Sequence, residues 1–236
     1  MQVESCDSLA NVPAEQWNAL TDGRNPFVRH EFLLALENNG CVAAEYGWHP
    51  FHLLLKNDQG TLIAAAPAYA KTNSYGEFVF DWAWADAYER AGGQYYPKLI
   101  CAVPFTPATG PRLLVNDEQK SSEYAVALYD AAIAIVEQQS WSGVHWLFPP
   151  EQQASAMEKR KYMLRIGCQY IWSNDNYRDF EDFLSRCTAK KRKNMRRERR
   201  RVAEQDVSLT VMHGDELSDD DWHQVTNFYL DTFNRK

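Results

Sequence analysis

The order of strand-like and helix-like segments is the feature that most constrains the fold of this chain. Three strand-like segments, residues 41–48, 51–56 and 62–71, are separated by His49-Pro50 and by Asn57-Asp58-Gln59-Gly60, and the second separator is typical of a hairpin turn. The patterns then alternate through a strand at 99–103, a long helix at 118–139, a strand at 144–148, a helix at 151–164 and a strand at 167–172. Antiparallel strands followed by this alternation predict a mixed α/β sheet.

Shorter elements are predicted around the hairpin. Helical spacing is found at residues 12–20, 30–38 and 82–90, and residues 78–80 are expected to continue the sheet.

A change of pattern after residue 172 predicts a domain boundary. The polar stretch Ser-Asn-Asp-Asn follows, and we therefore predict a first domain at 1–174 and a second segment at 175–236. That segment predicts helices at 178–186 and 188–205, a strand at 207–212 and a helix beginning at 221. One strand and three helices do not readily enclose a core, so we expect the start of a second domain, truncated at Lys236.

The composition indicates a folded, cytoplasmic protein with reduced thiols. Hydrophobic residues make up 45% of the chain and aromatic residues 13%, which is ample for a core. No basic start precedes an apolar N-terminal run, and no apolar run is long enough for a membrane span. The five cysteines are scattered and form no CxxC pair, so the sequence predicts neither a disulfide framework nor a metal site.

Nine of the 25 Lys and Arg residues lie between Lys190 and Arg201, in the run KKRKNMRRERRR. With Glu198 as its single acid, this basic run carries +8, and because the whole chain carries −7 the remaining residues sum to −15. One interpretation is a solvated helix face. The other is a site for an anionic partner, gripped by a ridge of Arg192, Arg196 and Arg200 at helical spacing. Aminoacyl-tRNA, a nucleotide-linked lipid precursor and acidic membrane lipid all suit such a site.

Residues 77–114, EFVFDWAWADAYERAGGQYYPKLICAVPFTPATGPRLL, resemble the bacterial FemAB-like proteins of the GNAT-type N-acyltransferase superfamily. Asn25-Pro26-Phe27, residues 31–39 and residues 142–148 fit the same family, so the resemblance covers essentially the entire chain. The basic run, the strand after it and Phe228-Tyr229…Thr232…Arg235 resemble the opening of the second domain in Fem-type aminoacyltransferases. The resemblance implies a GNAT-like acyl-CoA N-acyltransferase fold followed by the start of a second GNAT-like domain.

The same resemblance implies transfer of an acyl or aminoacyl group to an amine on a small molecule or a cell-wall precursor. Acyl-CoA and aminoacyl-tRNA are both candidate donors, and the sequence does not choose between them. In such enzymes a Gly-rich loop before the long helix binds pyrophosphate, but residues 106–112 here contain one glycine, and prolines remove backbone donors. Arg112 remains as a phosphate ligand in that loop.

Acids and phenols are densest between residues 81 and 96. A carboxylate shielded by Trp82 and Trp84 would have a raised pKa and act as a base, although core aromatics and solvated acids explain the same pattern. The predicted catalytic residues are Asp86 and Tyr95. The predicted substrate-binding residues are Asp81, Trp82, Trp84, Tyr96, Arg112, Lys190, Lys191, Arg192, Arg196 and Arg197.

A second functional hypothesis is a non-catalytic protein. In it, a degenerate acyltransferase fold presents the basic run to anions or nucleic acid. Residues 186–206 contain no aromatic residue, which counts against the base stacking of single-strand binders.

Overall fold

The computed structural model describes residues 1–115, 117, 120–168, 170–205 and 207–235. They divide into two compact units, Met1–Ile166 and Gly167–Lys236, and each is described by itself. Within the described ranges, no helix combines the length and the apolar character needed to cross a bilayer.

The first unit is built from a mixed set of strands and helices. Its strands are β1 (Gln2–Cys6), β2 (Trp48–Pro50), β3 (His52–Lys56), β4 (Leu62–Ala66), β5 (Ala68–Lys71), β6 (Lys98–Cys101) and β7 (Val144–Trp146). Its helices are α1 (Ala14–Asn18), α2 (His30–Asn38), α3 (Trp82–Arg90), α4 (Ser121–Gln138) and α5 (Glu151–Glu158).

A hairpin bent in the middle joins two sheets. One sheet has the order β1-β3-β4 and the other has the order β2-β5-β6-β7. Pro67 separates β4 from β5 because it has no N–H for the ladder, and the Phe51 N–H donates to the Ala68 carbonyl at 2.8 Å across the bend. The strands pair antiparallel except for β6 and β7, which are parallel. The predicted mixed α/β sheet is therefore confirmed.

Both faces of the β1-β3-β4 sheet are covered by helices. Successive side chains of a strand point to opposite faces, so Leu53 and Leu55 pack with Leu128 of α4 while Leu54 packs on the other side. There it meets Trp17 of α1, whose indole N–H donates to the Val28 carbonyl at 2.9 Å. This alternation fixes the register of β3, because a one-residue slip would move its leucines to the wrong core.

The predicted hairpin turn is confirmed at residues 57–60. The Asn57 carboxamide oxygen accepts hydrogen bonds from the backbone N–H groups of Gln59 and Thr61, at 3.0 and 2.9 Å. Gly60 has φ +79°, a conformation that glycine adopts without a Cβ penalty.

Two strand predictions in the first unit are wrong or incomplete, and one strand was not predicted. Residues 44–46 form a 3₁₀ turn that ends at Gly47, with φ +72°, so only Trp48 of the predicted strand at 41–48 joins a sheet. Phe78 and Phe80 have φ of +60° and +49°, which breaks the strand expected at 78–80. Strand β1 was missed because its sequence QVESC is mostly polar, as suits an edge strand. The start predicted for the long helix, residues 118–119, lies outside the described residues.

The second unit consists of three helices among its described residues: α6 (Phe180–Ser185), α7 (Ala189–Ala203) and α8 (Asp219–Asn234). Thr188 caps α7 by accepting from the Lys191 N–H, and Ser218 caps α8 in a capping box with Asp221. The strands predicted at 167–172 and 207–212 are not formed by the described residues there, because those residues pair with no neighbouring strand.

Candidate active site

A buried lysine lies at the centre of the candidate site. Lys98 is the first residue of β6, between β5 and β7, and its side chain is fully buried. A buried ammonium must be paired, since an isolated charge in the interior is costly. The residues around it are called the Lys98 cluster: Ser74, Glu77, Asp81, Tyr95, Tyr96 and Lys98.

Two carboxylates and one hydroxyl receive the three donors of Lys98. Nζ lies 2.6 Å from Asp81 Oδ2, 2.9 Å from Glu77 Oε2 and 3.3 Å from Ser74 Oγ. The side chains of Lys98, Glu77 and Asp81 are at most 1% exposed. Water therefore screens these charges little.

Two tyrosines extend the cluster towards solvent. The Tyr95 hydroxyl donates to Asp81 Oδ2 at 2.7 Å, and the Tyr96 hydroxyl lies 2.6 Å from Ser74 Oγ. Ser74 Oγ in turn donates to Asp81 Oδ1. Tyr95 is buried, whereas Tyr96 is half-buried. Tyr96 is thus the member of the cluster that is most accessible to a ligand.

The environment shifts the pKa values of the two carboxyl groups in the cluster in opposite directions. Burial opposes ionisation of Asp81, but hydrogen bonds from Lys98, Ser74 and Tyr95 outweigh it and lower its pKa to about 2. For Glu77, burial raises the pKa and the nearby Lys98 offsets this only in part. Glu77 Oε1 is buried without a hydrogen-bond partner in the described structure. Asp81 is therefore a fixed anion, and Glu77 is the carboxyl better suited to take up a proton.

The phenols act as hydrogen-bond donors. Burial and the hydrogen bond to Asp81 raise the pKa of Tyr95 far above its ordinary value. Burial also raises the pKa of Tyr96, although its bond with Ser74 works against the rise. Both hydroxyls keep their protons at neutral pH. Either one can therefore relay a proton, but neither is present as a phenolate that could act as a general base.

Two further basic groups lie on the strands next to Lys98. Lys71, on β5, is the cross-strand partner of Lys98 and is buried. Its ammonium donates to Asn73 Oδ1 at 3.2 Å and to the Tyr75 carbonyl at 3.1 Å. Burial lowers the pKa of Lys71 to about 8. His145 lies on β7, and burial lowers its pKa to about 4, so the imidazole is neutral at pH 7.

Three predicted site residues on α3 are not part of the cluster. Asp86 is exposed and pairs with Arg90 at 2.7 Å, one helical turn away. Trp82 and Trp84 are 55% and 58% exposed. Because Asp81 immediately precedes α3 and Trp82 begins it, these side chains can line an approach to the cluster without belonging to it.

Arg112 is engaged within the fold. It is 1% exposed, and its guanidinium donates to the carbonyls of Leu147 at 2.6 Å, Ala108 at 2.8 Å and Gly110 at 3.0 Å. Burial lowers its pKa to about 10, which leaves it charged at neutral pH. These bonds tie the loop before α4 to the end of β7, and they occupy the donors that a phosphate would use.

The basic run forms most of α7, and its predicted ligands divide into two groups. Arg192 donates to the Cys187 carbonyl at 3.0 Å and Arg196 pairs with Glu181 of α6. Lys190, Lys191 and Arg197 are exposed and have no side-chain hydrogen bond or ion pair in the described structure. Two of the three arginines in the predicted ridge, Arg192 and Arg196, therefore make contacts that hold α7 to the rest of its unit.

The structure brings together three predicted residues, Asp81, Tyr95 and Tyr96, and adds three that sequence reasoning missed. Lys98, Glu77 and Ser74 match no motif. The available signal was a lysine at the start of an apolar strand, which in a buried sheet requires an acidic partner. Within the described ranges, no group of three or more His, Cys, Asp or Glu side chains is placed to hold a metal ion.

Comparison with known proteins supplies one assignment. Two solved structures are similar to this chain, each at 15% sequence identity. One is the aminoglycoside 6'-N-acetyltransferase AAC(6')-Ih from Acinetobacter baumannii, with a TM-score of 0.40 over 74% of this chain and 97% of that chain. The other is AAC(6')-IG from Acinetobacter haemolyticus, with a TM-score of 0.39 over 75% of this chain and 99% of that chain. These values assign neither activity nor substrate. Comparison with curated proteins gives no match. The FemAB-like family, described as peptidoglycan biosynthesis/recognition, matches residues 8–236. The chain therefore belongs to the FemAB-like family.

Proposed function

We propose that this protein is a FemAB-like N-acyltransferase that moves an acyl or aminoacyl group from an activated donor to an amine. Family membership over residues 8–236 supports the class. The observation that carries the proposal is the hydrogen-bonded chain leading from the half-buried Tyr96 through Ser74 to the buried charges around Lys98.

N-acyl transfer has one requirement that this chain of groups can meet. The attacking amine must lose a proton as its nitrogen bonds to the acyl carbon and the donor's leaving group departs. No covalent nucleophile on the protein is needed. The protein therefore needs only a relay of hydrogen-bonded groups that accepts the proton of the amine and keeps it away from water.

The proton path runs from Tyr96 inward. The amine gives its proton to the Tyr96 hydroxyl as that hydroxyl passes its own proton to Ser74 Oγ. Ser74 passes a proton to Lys98 Nζ as Nζ gives one of its three protons to Glu77 Oε2. Ser74 lies 3.3 Å from Lys98 Nζ, and Nζ lies 2.9 Å from Glu77 Oε2. Burial raises the pKa of Glu77, so Glu77 is the final acceptor, while Asp81 stays ionised and keeps the total charge near Lys98 balanced.

Tyr95 positions this relay. Its hydroxyl donates to Asp81 Oδ2 at 2.7 Å, the same oxygen that lies 2.6 Å from Lys98. Removing that donor would leave the carboxylate held by Lys98 and Ser74 alone. Exposed Trp82 and Trp84, with Asp86 beyond them, are proposed to form the rim over which the acceptor enters.

Substrate identity is a further part of the proposal. The family description favours a cell-wall precursor as the amine acceptor, and both acyl-CoA and aminoacyl-tRNA remain candidate donors. Arg112 is left out of the donor site because its guanidinium already serves backbone carbonyls.

The relay is tested by Tyr96→Phe, with Tyr88→Phe as the matched control. Tyr88 is an exposed tyrosine whose ring packs 6.0 Å from that of Tyr95, and its hydroxyl has no hydrogen bond in the described structure. We expect Y96F to lower kcat by roughly 100-fold, since general acid–base groups contribute about 10²–10⁴, and Y88F to keep the parent rate. Transfer from acetyl-CoA or aminoacyl-tRNA to a cell-wall pentapeptide is the assay. Equal rates for Y96F and Y88F would remove Tyr96 from the mechanism.

A further inference from the structure

The basic helix α7 has two faces with different contacts. The inner face is directed at α6: Arg196 pairs with Glu181, and the Arg199 guanidinium lies 4.2 Å from the centre of the Phe180 ring. On the same side, Arg192 donates to the carbonyl of Cys187. These arginines stabilise the second unit, and their charges are not free for another partner.

The opposite face carries a line of unpaired cations. At about 100° per residue, Lys190, Lys193, Arg197 and Arg201 fall within an arc of about 80°. All four are exposed, and none makes a side-chain hydrogen bond or an ion pair in the described part of the chain. We call these four residues the outward ridge. It extends for about 16 Å along the helix, at 1.5 Å per residue.

Neighbouring charges do not neutralise the outward ridge. Arg200 beside it is paired with Glu204 at 3.4 Å, so that acid is already satisfied. Glu198 lies on the flank, nearer to Lys191 than to the ridge. Lys190 and Lys193 lie in the first turns of α7, where the helix dipole disfavours a cation, whereas Arg201 in the last turn is favoured by it.

The shape of the ridge determines what it can bind. A small anion needs donors that converge, as in a bidentate arginine site, whereas these four side chains diverge from a convex helix in which no residue is buried. The hollow of 430 Å³ beside the inner face is lined by Asp179 and Glu181 as well as by Arg196 and Arg199. With two carboxylates in its wall, it does not suit an anion either.

We propose that the outward ridge docks the second unit on an anionic lipid bilayer. A planar array of negative charges fits a convex line of cations, and mobile lipids can gather under it. Nucleic acid fits less well. No aromatic residue lies on the ridge for stacking, and the nearby Phe180 and Tyr177 rings are covered by Arg199 and Arg186.

Flotation of the full chain with lipid vesicles tests the proposal. Vesicles of phosphatidylcholine with about 30% phosphatidylglycerol are compared with pure phosphatidylcholine, at about 50 and 300 mM salt. We expect binding to the anionic vesicles alone, weakened at high salt. Replacing the ridge by glutamine (K190Q, K193Q, R197Q, R201Q) should lower the partition coefficient by roughly several-hundred-fold, at about fivefold per basic residue.

A matched variant removes four exposed cations from the first unit: Arg24, Lys120, Lys159 and Lys161, each changed to Gln. It has the same net charge as the ridge variant and should bind the anionic vesicles nearly as the parent does. Equal loss in both variants, equal binding to both vesicle types, or retained binding by the ridge variant would overturn the proposal. So would parental binding to a single-stranded oligonucleotide with none to vesicles, because that result assigns the ridge to nucleic acid. None of these measurements depends on acyl transfer.

Discussion

Replacing Lys98 with methionine tests whether the Lys98 cluster holds the first unit together. Nζ lies 2.6 Å from Asp81 Oδ2 and 2.9 Å from Glu77 Oε2, and all three side chains are almost fully buried. Methionine keeps most of the side-chain volume but removes the charge, so two buried carboxyls lose the cation that they contact, and of the nearby lysines Lys71 alone still acts on Glu77. Removing one partner of a buried pair costs about 3–5 kcal/mol. We expect the unfolding free energy of K98M to fall by that amount.

A triple variant separates the effect of charge from the effect of packing. In K98M/E77Q/D81N none of the three charges of the cluster is left, and the amides are close in shape to the carboxyls they replace. We expect it to regain more than half of the stability lost in K98M, because replacing a whole buried ion pair by neutral groups is often close to neutral. Urea unfolding followed by tryptophan fluorescence gives each free energy, provided that the m-value is unchanged.

The control is Lys159→Met, which removes an exposed lysine and should change stability by no more than about 0.5 kcal/mol. Our reasoning is refuted if K98M is as stable as the parent. It is also refuted if the triple variant is as unstable as K98M, because the loss would then arise from packing and not from uncompensated charge.

Two further predictions concern buried charges. Arg112→Lys should lower the unfolding free energy by about 2–4 kcal/mol, because lysine cannot reach the spread of carbonyls that the guanidinium serves; an unchanged melting temperature in calorimetry would contradict this. Asp81 has its pKa lowered from 3.8 to about 2, so its contribution of about 2 kcal/mol is present above pH 4 and is lost as the pH falls towards 2. Parent and D81N should therefore differ in urea stability at pH 7 and converge near pH 2, and a pH-independent difference would exclude this linkage.

The parts of the fold that sequence could predict are those with strong local signals. The hairpin turn at residues 57–60 and helix α2 at His30–Asn38 were both predictable, since turn residues such as Asn57 and Gly60 and helical spacing act over a few residues. Helix α3, predicted at 82–90, has those bounds in the structure. Strand β1 and the broken strand at 78–80 depend on pairing and backbone geometry that no local pattern specifies.

The candidate site was only partly predictable for a related reason. Tyr95, Tyr96 and Asp81 lie in one unusual stretch of acids and phenols, which drew attention to them. Lys98 is recognisable only after β6 is placed between two other strands, because burial changes an ordinary lysine into one that needs two carboxylates. Similarly, helical spacing predicted that α7 would present arginines, but their contacts with α6 decide which cations stay free.

Mass spectrometry of the acceptor tests the proposed function most directly. The full chain is incubated with a cell-wall pentapeptide precursor and either acetyl-CoA or aminoacyl-tRNA, and the peptide amine is examined for added acyl mass. We predict an enzyme-dependent mass increase with one of the two donors, reduced by about 100-fold in rate in Y96F and unchanged in Y88F. Folded protein that acylates the amine with neither donor, or Y96F that does so at the parent rate, would contradict the account.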